Sequence, residues 1–312
     1  MEYFFTSFLV VFPLFVKLLI GFGLKKVRLM NSTTFKEMNN VAFRLFLPVL
    51  IFSNIYQADL SKAVSPRLIV YAVSSLLVLF FIAMTIVPRL EPDNRRRGVI
   101  VQAVCRSNFI LFGLPVAITL YGSGSAGTAS ILVGIVVPVI NTLSVIALEY
   151  FRGEKPDIRK IIHGIVYNPI IIGALFGLTL VLTGVKLPPV LEKIIAEIAA
   201  IATPLALIVL GGSVTFKSLG TNRWQLIFGS LTRLVFVPLI GLTIAILMGF
   251  REVELVILMA MFSSPAAVSS YTMAQQMDGD AELAGQLVIF TTVFSILTIF
   301  FWVFILMALK FI

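Results

Sequence analysis

Charged residues are scarce in this sequence, and that scarcity decides its class. They make up 12% of the 312 residues, and hydrophobic residues make up 59%, whereas soluble domains have about 25% charged and roughly 45 to 50% apolar residues. The mean hydropathy is +1.05. A soluble globular domain is excluded, and we predict an integral membrane protein that lies in the lipid bilayer.

Residues on which enzymes depend are scarce as well. Cys105 is the only cysteine, so a disulfide within the chain is impossible. His163 is the only histidine, and neither a Gly-x-Ser-x-Gly nor a His-Glu-x-x-His motif occurs. The Gly-x4-Gly-Lys-Ser/Thr loop that binds nucleotide phosphates is also missing. We predict that the protein is neither an enzyme nor an ATP-driven pump, and that it uses no metal or cofactor.

The net charge of +9 resides mainly in short loops. Most lysines and arginines lie in alternate loops between apolar segments, such as 25–36, 89–97 and 152–160. This bias orients membrane proteins, because short positively charged loops stay in the cytoplasm. We therefore expect a protein of the cell membrane with both termini outside the cytoplasm, and we do not expect nucleic acid as a partner.

The apolar residues form ten segments of about 20 residues, the length that a helix needs to cross a bilayer. The segments are 4–24, 39–56, 66–87, 98–121, 127–151, 161–182, 194–214, 224–249, 254–275 and 284–309. We predict an all-α integral membrane protein with ten transmembrane helices.

The chain shows signs of an internal repeat. Three pairs of identical residues lie 156 positions apart: Pro13 and Pro169, Pro48 and Pro204, and Arg67 and Arg223. Chance coincidence of a few prolines is the alternative explanation. Since each half carries five segments, an odd number, the halves would enter the membrane from opposite sides. We predict two inverted five-helix repeats, residues 1–156 and 157–312.

Two segments contain residues that interrupt a helix. The fourth carries Arg106, Asn108, Gly113 and Pro115, and the ninth carries the stretch 263–271, with four serines and a proline. Glycine and proline survive in mid-membrane only beside a cavity or a partner helix. Broken helices of this kind expose backbone dipoles to substrates in secondary transporters. We predict breaks in both segments.

Some polar side chains lie deep in the predicted spans. Arg106 and Arg233 have no acidic residue at comparable depth, so each either lines a cavity or bonds to backbone carbonyls. Asn108 either binds a ligand or caps the broken helix. Asn141 is a further buried polar candidate, and the serines of 263–270 either bind substrate or close helix packing.

The fourth segment resembles a family signature. Asn108, followed by Gly113-Leu114-Pro115 and Tyr121-Gly122, is similar to the fourth helix of the auxin efflux carrier family. Further matches are Asn168-Pro169, Thr203-Pro204-Leu205, Gly211-Gly212, and Pro265 followed by Asp278 and Asp280. The resemblance implies a scaffold and a transport domain, with fourth and ninth helices that unwind and cross. It also implies that Asn108 and the region 268–270 bracket the carboxylate of an organic anion.

The function predicted from these features is a secondary transporter that moves a small organic anion, such as a carboxylate, by alternating access. A sodium- or proton-coupled transporter of another solute and a channel are the alternatives, and a homodimer is left open. The candidate substrate-binding residues are Arg106, Asn108, Gly113, Pro115, Arg233, Val268, Ser269, Ser270 and Tyr271. The candidate residues that break or support the helices are Pro48, Asn141, Pro204, Ser264 and Pro265.

Overall fold

A computed structural model describes residues 2–57, 65–109, 125–153, 158–213 and 220–312. Every regular element within these ranges is a helix. In chain order they are α1 (Glu2–Lys26), α2 (Ser32–Tyr56), α3 (Pro66–Leu90), α4 (Asn94–Cys105), α5 (Ser125–Tyr150), α6 (Ile158–Val166), α7 (Pro169–Thr183), α8 (Pro189–Ser213), α9 (Arg223–Leu247), α10 (Glu252–Ser263), α11 (Ser269–Gln276) and α12 (Ala281–Ala308).

The predicted class, an all-helical membrane protein, is confirmed. Among the described residues, six helices are long and apolar enough to cross a bilayer: α2, α3, α5, α8, α9 and α12. Large apolar side chains point outward from such helices, with Leu247 81% exposed and Phe81 63% exposed. In water these surfaces would be unfavourable, whereas lipid accommodates them. The count of ten spans and their division into repeats stay predictions.

Three predicted segments are interrupted rather than continuous. The fourth ends as a helix at Cys105, well before its predicted end, and the ninth is divided into α10 and α11. The sixth is divided into α6 and α7, where a proline disfavours helical geometry in the residue before it. That residue, Asn168, is extended, and its side chain accepts a hydrogen bond from the Ile170 N–H (2.9 Å). Gly113 and Pro115 lie outside the described residues.

Helices α2 and α9 continue past prolines by widening one turn. Each contains a π turn, Ala42–Phe46 or Thr232–Phe236, which ends two residues before Pro48 or Pro238. Proline lacks an N–H and crowds the carbonyl four residues earlier, so that carbonyl must find another partner. For Pro238 this carbonyl is that of Leu234, which accepts a hydrogen bond from the indole N–H of Trp302 on α12 (3.1 Å).

Glycines bring four helices, α1, α2, α7 and α8, into backbone contact. A Cβ atom on Gly21 of α1 would overlap the Ile208 carbonyl of α8, and one on Gly211 of α8 would overlap the Leu18 carbonyl of α1. A Cβ on Gly173 of α7 would come within 2.5 Å of the Pro48 carbonyl oxygen of α2. Small residues allow membrane helices to approach this closely. We call these four helices the glycine-packed group.

Gly21→Ala should lower the stability of the protein strongly, whereas Gly23→Ala should not lower it. The added methyl at Gly21 meets the backbone of α8, which cannot turn aside, so we expect a loss of about 3 kcal/mol or more. A methyl at Gly23 meets nothing within 4 Å, so alanine's better helix propensity should leave stability unchanged or slightly higher. Thermal unfolding of both purified variants in detergent checks this, and equal melting temperatures would refute the close α1–α8 contact.

Candidate functional site

The two broken helices meet where their helical hydrogen bonding stops. After α4 and α10 end, the chain is extended, and Ser107 pairs with Ala266 in an antiparallel bridge. The Asn108 N–H donates to the Pro265 carbonyl (2.8 Å), and the Ala267 N–H donates to the Arg106 carbonyl (3.3 Å). Backbone groups inside a bilayer have no water to bond to. Each broken helix therefore supplies hydrogen-bond partners for free backbone groups of the other. We call this junction of the two breaks the crossing.

The two broken helices end 158 positions apart along the chain, α4 at Cys105 and α10 at Ser263. Arg106, the residue after α4, is thus the positional counterpart of Ser264, the residue after α10. The first break begins here, seven residues before Gly113. The 156-residue repeat, which aligns Asn108 with Ser264 in sequence, stays a prediction.

Arg233 bonds to the backbone on both sides of the crossing. It is 1% exposed, and its guanidinium donates to the carbonyls of Ser264 (2.8 Å) and Met261 (2.8 Å) on the α10 side, and of Val104 (3.1 Å) on α4. The last carbonyls of a helix have no intrahelical partner and carry partial negative charge, which a cation stabilises. Arg233 thus has the backbone-bonded role left open from the sequence, and it is not among the residues that line the cavity described next.

A cavity of about 80 Å³ lies beside the crossing. Helices α2, α5, α7 and α8 enclose it together with the two breaks. The lining residues are Leu47, Leu50, Ile51, Arg106, Ser107, Asn108, Phe109, Val137, Ile140, Asn141, Ile170, Thr203, Ala206, Ala267, Val268 and Ser269. Most are apolar, and the polar ones come mainly from the two breaks.

Arg106 is the cation of the cavity, and its partners are neutral. It is 4% exposed. Its guanidinium donates to Asn141 Oδ1 (2.6 Å) and Ser269 Oγ (2.7 Å), and it also contacts the Met273 sulfur. None of the described acidic side chains pairs with it or lines the cavity. A buried charge without a counter-charge is costly, and within the described chain no acidic side chain offsets this one.

Further hydrogen-bond donors belong to residues that line the same cavity. Helix α11 begins at Ser269 without a side-chain cap, and nothing in the described chain accepts from the N–H groups of Val268 or Ser269. Within the described chain the Asn108 amide nitrogen and the Ser107 hydroxyl are buried and have no hydrogen-bond partner, and Asn108 is 9% exposed. A helix N-terminus carries partial positive charge and binds anions. The cavity therefore combines a cation, a helix N-terminus and unused donors.

Comparison with known proteins identifies the family. The sequence profile of the membrane transport protein family matches residues 6–303. The chain belongs to this family. Two relatives are uncharacterized transporters: one of Methanothermobacter thermautotrophicus is 24% identical over 309 residues, and one of Methanocaldococcus jannaschii is 24% identical over 307 residues. Each alignment covers 94% of this chain and 96% of the relative.

Membership in the membrane transport protein family confirms the resemblance to auxin efflux carriers on which the sequence prediction rested. It also shows that the chain is a membrane transporter, in agreement with the expectation that it is not an enzyme.

The structure of this family member brings together only some of the predicted site residues. Arg106, Asn108, Val268 and Ser269 line the cavity, and Asn141 positions Arg106. The remaining described residues support the helices around it. Ser270 and Tyr271 are buried in the first turn of α11, Ser264 and Pro265 form the second break, Pro48 follows a π turn in α2, and Pro204 lies inside α8 next to Thr203.

The sequence prediction missed two features of the site in this transporter, a contact of Arg106 and the apolar wall of the cavity. Met273 contacts Arg106, and it could have been found, because it lies one helical turn after Ser269 and thus on the same face of α11. The apolar wall from α2 and α7, including Ile51 and Ile170, gives no such signal. Apolar residues occur all along these helices, and only packing decides which of them face a cavity.

Proposed function

We propose that this protein is a secondary transporter of small organic anions, and that its substrate binds in the cavity at the crossing. The observation that carries the proposal is Arg106, a buried cation whose described partners are all neutral. An anion offsets this charge and also accepts hydrogen bonds from Asn108 and the first N–H groups of α11. A carboxylate, with two oxygens that share one charge, suits such a set of donors.

The surroundings of the cavity support alternating access. On one side is the glycine-packed group, and on the other is the crossing, where Arg233 ties α4 and α10 together. Near the end of α11, the two sides meet through neutral contacts: Asn39 of α2 donates to Gln275 Oε1 (2.7 Å) and to the Thr272 carbonyl (3.4 Å). Neutral hydrogen bonds are individually weak. Movement of one group against the other would break few strong interactions while opening the cavity.

A channel and a cation-coupled transporter remain the competing functions. A coupling cation prefers carboxylate and carbonyl oxygens, and none of the described residues lining the cavity is acidic. In proteoliposomes loaded with an unlabelled short carboxylate, external labelled carboxylate should accumulate transiently by counterflow. Passive equilibration without such an overshoot would indicate a channel, and an absolute requirement for sodium would indicate cation coupling.

Asn108→Ala should weaken substrate binding by about 1 to 3 kcal/mol, because it removes a buried donor that has no partner in the described chain. The same change should cost the empty protein little, since no hydrogen bond of that amide nitrogen within the described chain is lost. Binding measured by substrate-induced thermal stabilisation checks this. Asn40→Ala in α2, where the Asn40 side chain accepts a hydrogen bond from the exposed Arg44, is the matched control, and equal affinity in the two variants would contradict the role of Asn108.

Both termini are proposed to lie outside the cytoplasm, as the loop charges predict. Cys105 is buried and is the only cysteine, so Cys105→Ala provides a background free of thiols. On that background, Lys310→Cys should react with an impermeant maleimide added to intact cells, while Arg28→Cys should react only after permeabilisation. The reverse labelling pattern would show that both termini lie in the cytoplasm.

A homodimer also remains a prediction, which mass measurement of the protein in lipid nanodiscs tests.

A further inference from the structure

We infer that the cavity selects monocarboxylates with a short apolar chain over dicarboxylates of the same length. This inference rests on the proposed function, because it names the class of anion that the same site takes. It follows from the number of charges around the cavity, from where the donors lie, and from the size of the space.

The number of positive charges favours a single negative charge. Arg106 is the one charged side chain among the described lining residues. Residues 110–124, outside the described part, complete the predicted fourth segment, and their sequence contains no charged residue. A monoanion therefore makes the occupied site neutral. A dianion would leave one negative charge in an apolar, membrane-embedded space, where an unpaired charge is strongly disfavoured.

The positions of the donors favour one carboxylate at one end. Arg106, Ser107 and Asn108 come from the first break, and Val268 and Ser269 from the second. Helices α2 and α7 contribute only apolar side chains to the lining: Leu47, Leu50, Ile51 and Ile170. The polar lining residues outside the breaks are Asn141 of α5, which bonds to Arg106, and Thr203 of α8, and neither neutral side chain can offset a full charge. A second carboxylate would thus lie against hydrocarbon, whereas an alkyl chain would be well accommodated there.

The size of the cavity favours a chain of few carbons. Its volume of about 80 Å³ is well below the roughly 300 to 1,000 Å³ of pockets that hold drug-sized ligands. The wall is firm, because Ile51 and Ile170 are themselves buried and packed in the core. Ile51 lies on α2 and Ile170 in the first turn of α7, so shortening either side chain should lengthen the space.

Ligands of equal chain length test which ligand charge the cavity prefers. Butyrate, succinate, butyramide and butylammonium share a four-carbon chain and differ in charge. We would measure how well each inhibits uptake of labelled butyrate into proteoliposomes at neutral pH. We expect butyrate to bind at least about tenfold more tightly than succinate, which corresponds to about 1.4 kcal/mol. We expect butyramide and butylammonium to inhibit weakly or not at all.

Monocarboxylate selectivity and the anion site itself would be contradicted by different results. Succinate binding as tightly as butyrate, or more tightly, would overturn monocarboxylate selectivity and leave a transporter of organic anions. Butyramide equal to butyrate, or butylammonium preferred over both, would overturn the anion site itself. If only larger anions such as decanoate were transported, the charge argument would stand and the size argument would be wrong.

Variants of Ile51 test whether the apolar wall of the cavity limits the length of the bound alkyl chain. In Ile51→Ala the preference should shift toward longer chains, with the ratio of octanoate to butyrate affinity rising by about fivefold or more, because the alkyl chain fills the space that the side chain leaves. Leu76→Ala in α3 removes a similarly buried side chain away from the cavity, and it should leave that ratio unchanged. Ile51→Val is the milder variant if Ile51→Ala does not fold. An unchanged ratio in folded Ile51 variants would refute the assignment of this wall.

Discussion

Arg106→Gln should reduce anion transport by about a hundredfold or more and should leave the empty protein as stable as the parent or more stable. Glutamine keeps hydrogen bonds within reach of Asn141 and Ser269 but carries no charge. A bound carboxylate would then be a buried ion without a counter-charge, and breaking such a pair costs about 3 to 5 kcal/mol. Without substrate the opposite holds, because the described partners of Arg106 are all neutral, so the substitution removes an uncompensated buried charge.

Two measurements check these two effects. Uptake into proteoliposomes should fall, while the melting temperature of the empty variant should stay the same or rise and the stabilisation by substrate should disappear. Arg44→Gln is the matched control, because Arg44 is exposed and bonds to Asn40 on its own helix. Undiminished uptake by Arg106→Gln would contradict the anion site. A large loss of stability in the empty variant would instead show that Arg106 mainly holds the fold together.

The class of the fold could be predicted from the sequence because it depends on local composition. Apolar runs of the right length indicate spanning helices, and the serines and proline of 263–271 mark where the ninth segment is interrupted. The observed gap between α10 and α11 lies within that stretch. The first break begins at Arg106, whose carbonyl accepts a hydrogen bond from the Ala267 N–H. A partner so distant along the chain leaves no local signal.

Arg106 and Arg233 cannot be distinguished from the sequence. Both are arginines deep in apolar segments without a nearby acid, and for each the sequence is compatible with lining a cavity or with bonding to backbone carbonyls. Their environments differ because of packing between distant segments: Arg233 meets the free carbonyls at the ends of α4 and α10, whereas Arg106 meets neutral side chains at the cavity. The sequence predicts that each charge needs compensation, and only the fold shows which one is compensated by backbone.

Arg233 gives the second large expected effect, and this effect is on stability. Arg233→Met should destabilise the protein by about 3 to 5 kcal/mol. Methionine fills a similar volume but donates no hydrogen bond, so three buried carbonyls on two helix ends lose their partner. Each buried acceptor left without a partner costs about 1 to 3 kcal/mol, and the removal of the unpaired guanidinium charge offsets part of the total.

Arg233→Lys separates the charge of Arg233 from its geometry. Lysine keeps the positive charge but is a compact point charge that cannot reproduce the planar fork of donors, so this variant should regain only part of the lost stability. Arg233 does not line the cavity, so substrate affinity in the fraction of Arg233→Lys that folds should match that of the parent. Melting temperatures together with substrate titrations on each variant measure the two effects separately. If Arg233→Lys folded normally but lost affinity for carboxylates, Arg233 would belong to the substrate site after all, and its assignment as the support of the crossing would be wrong.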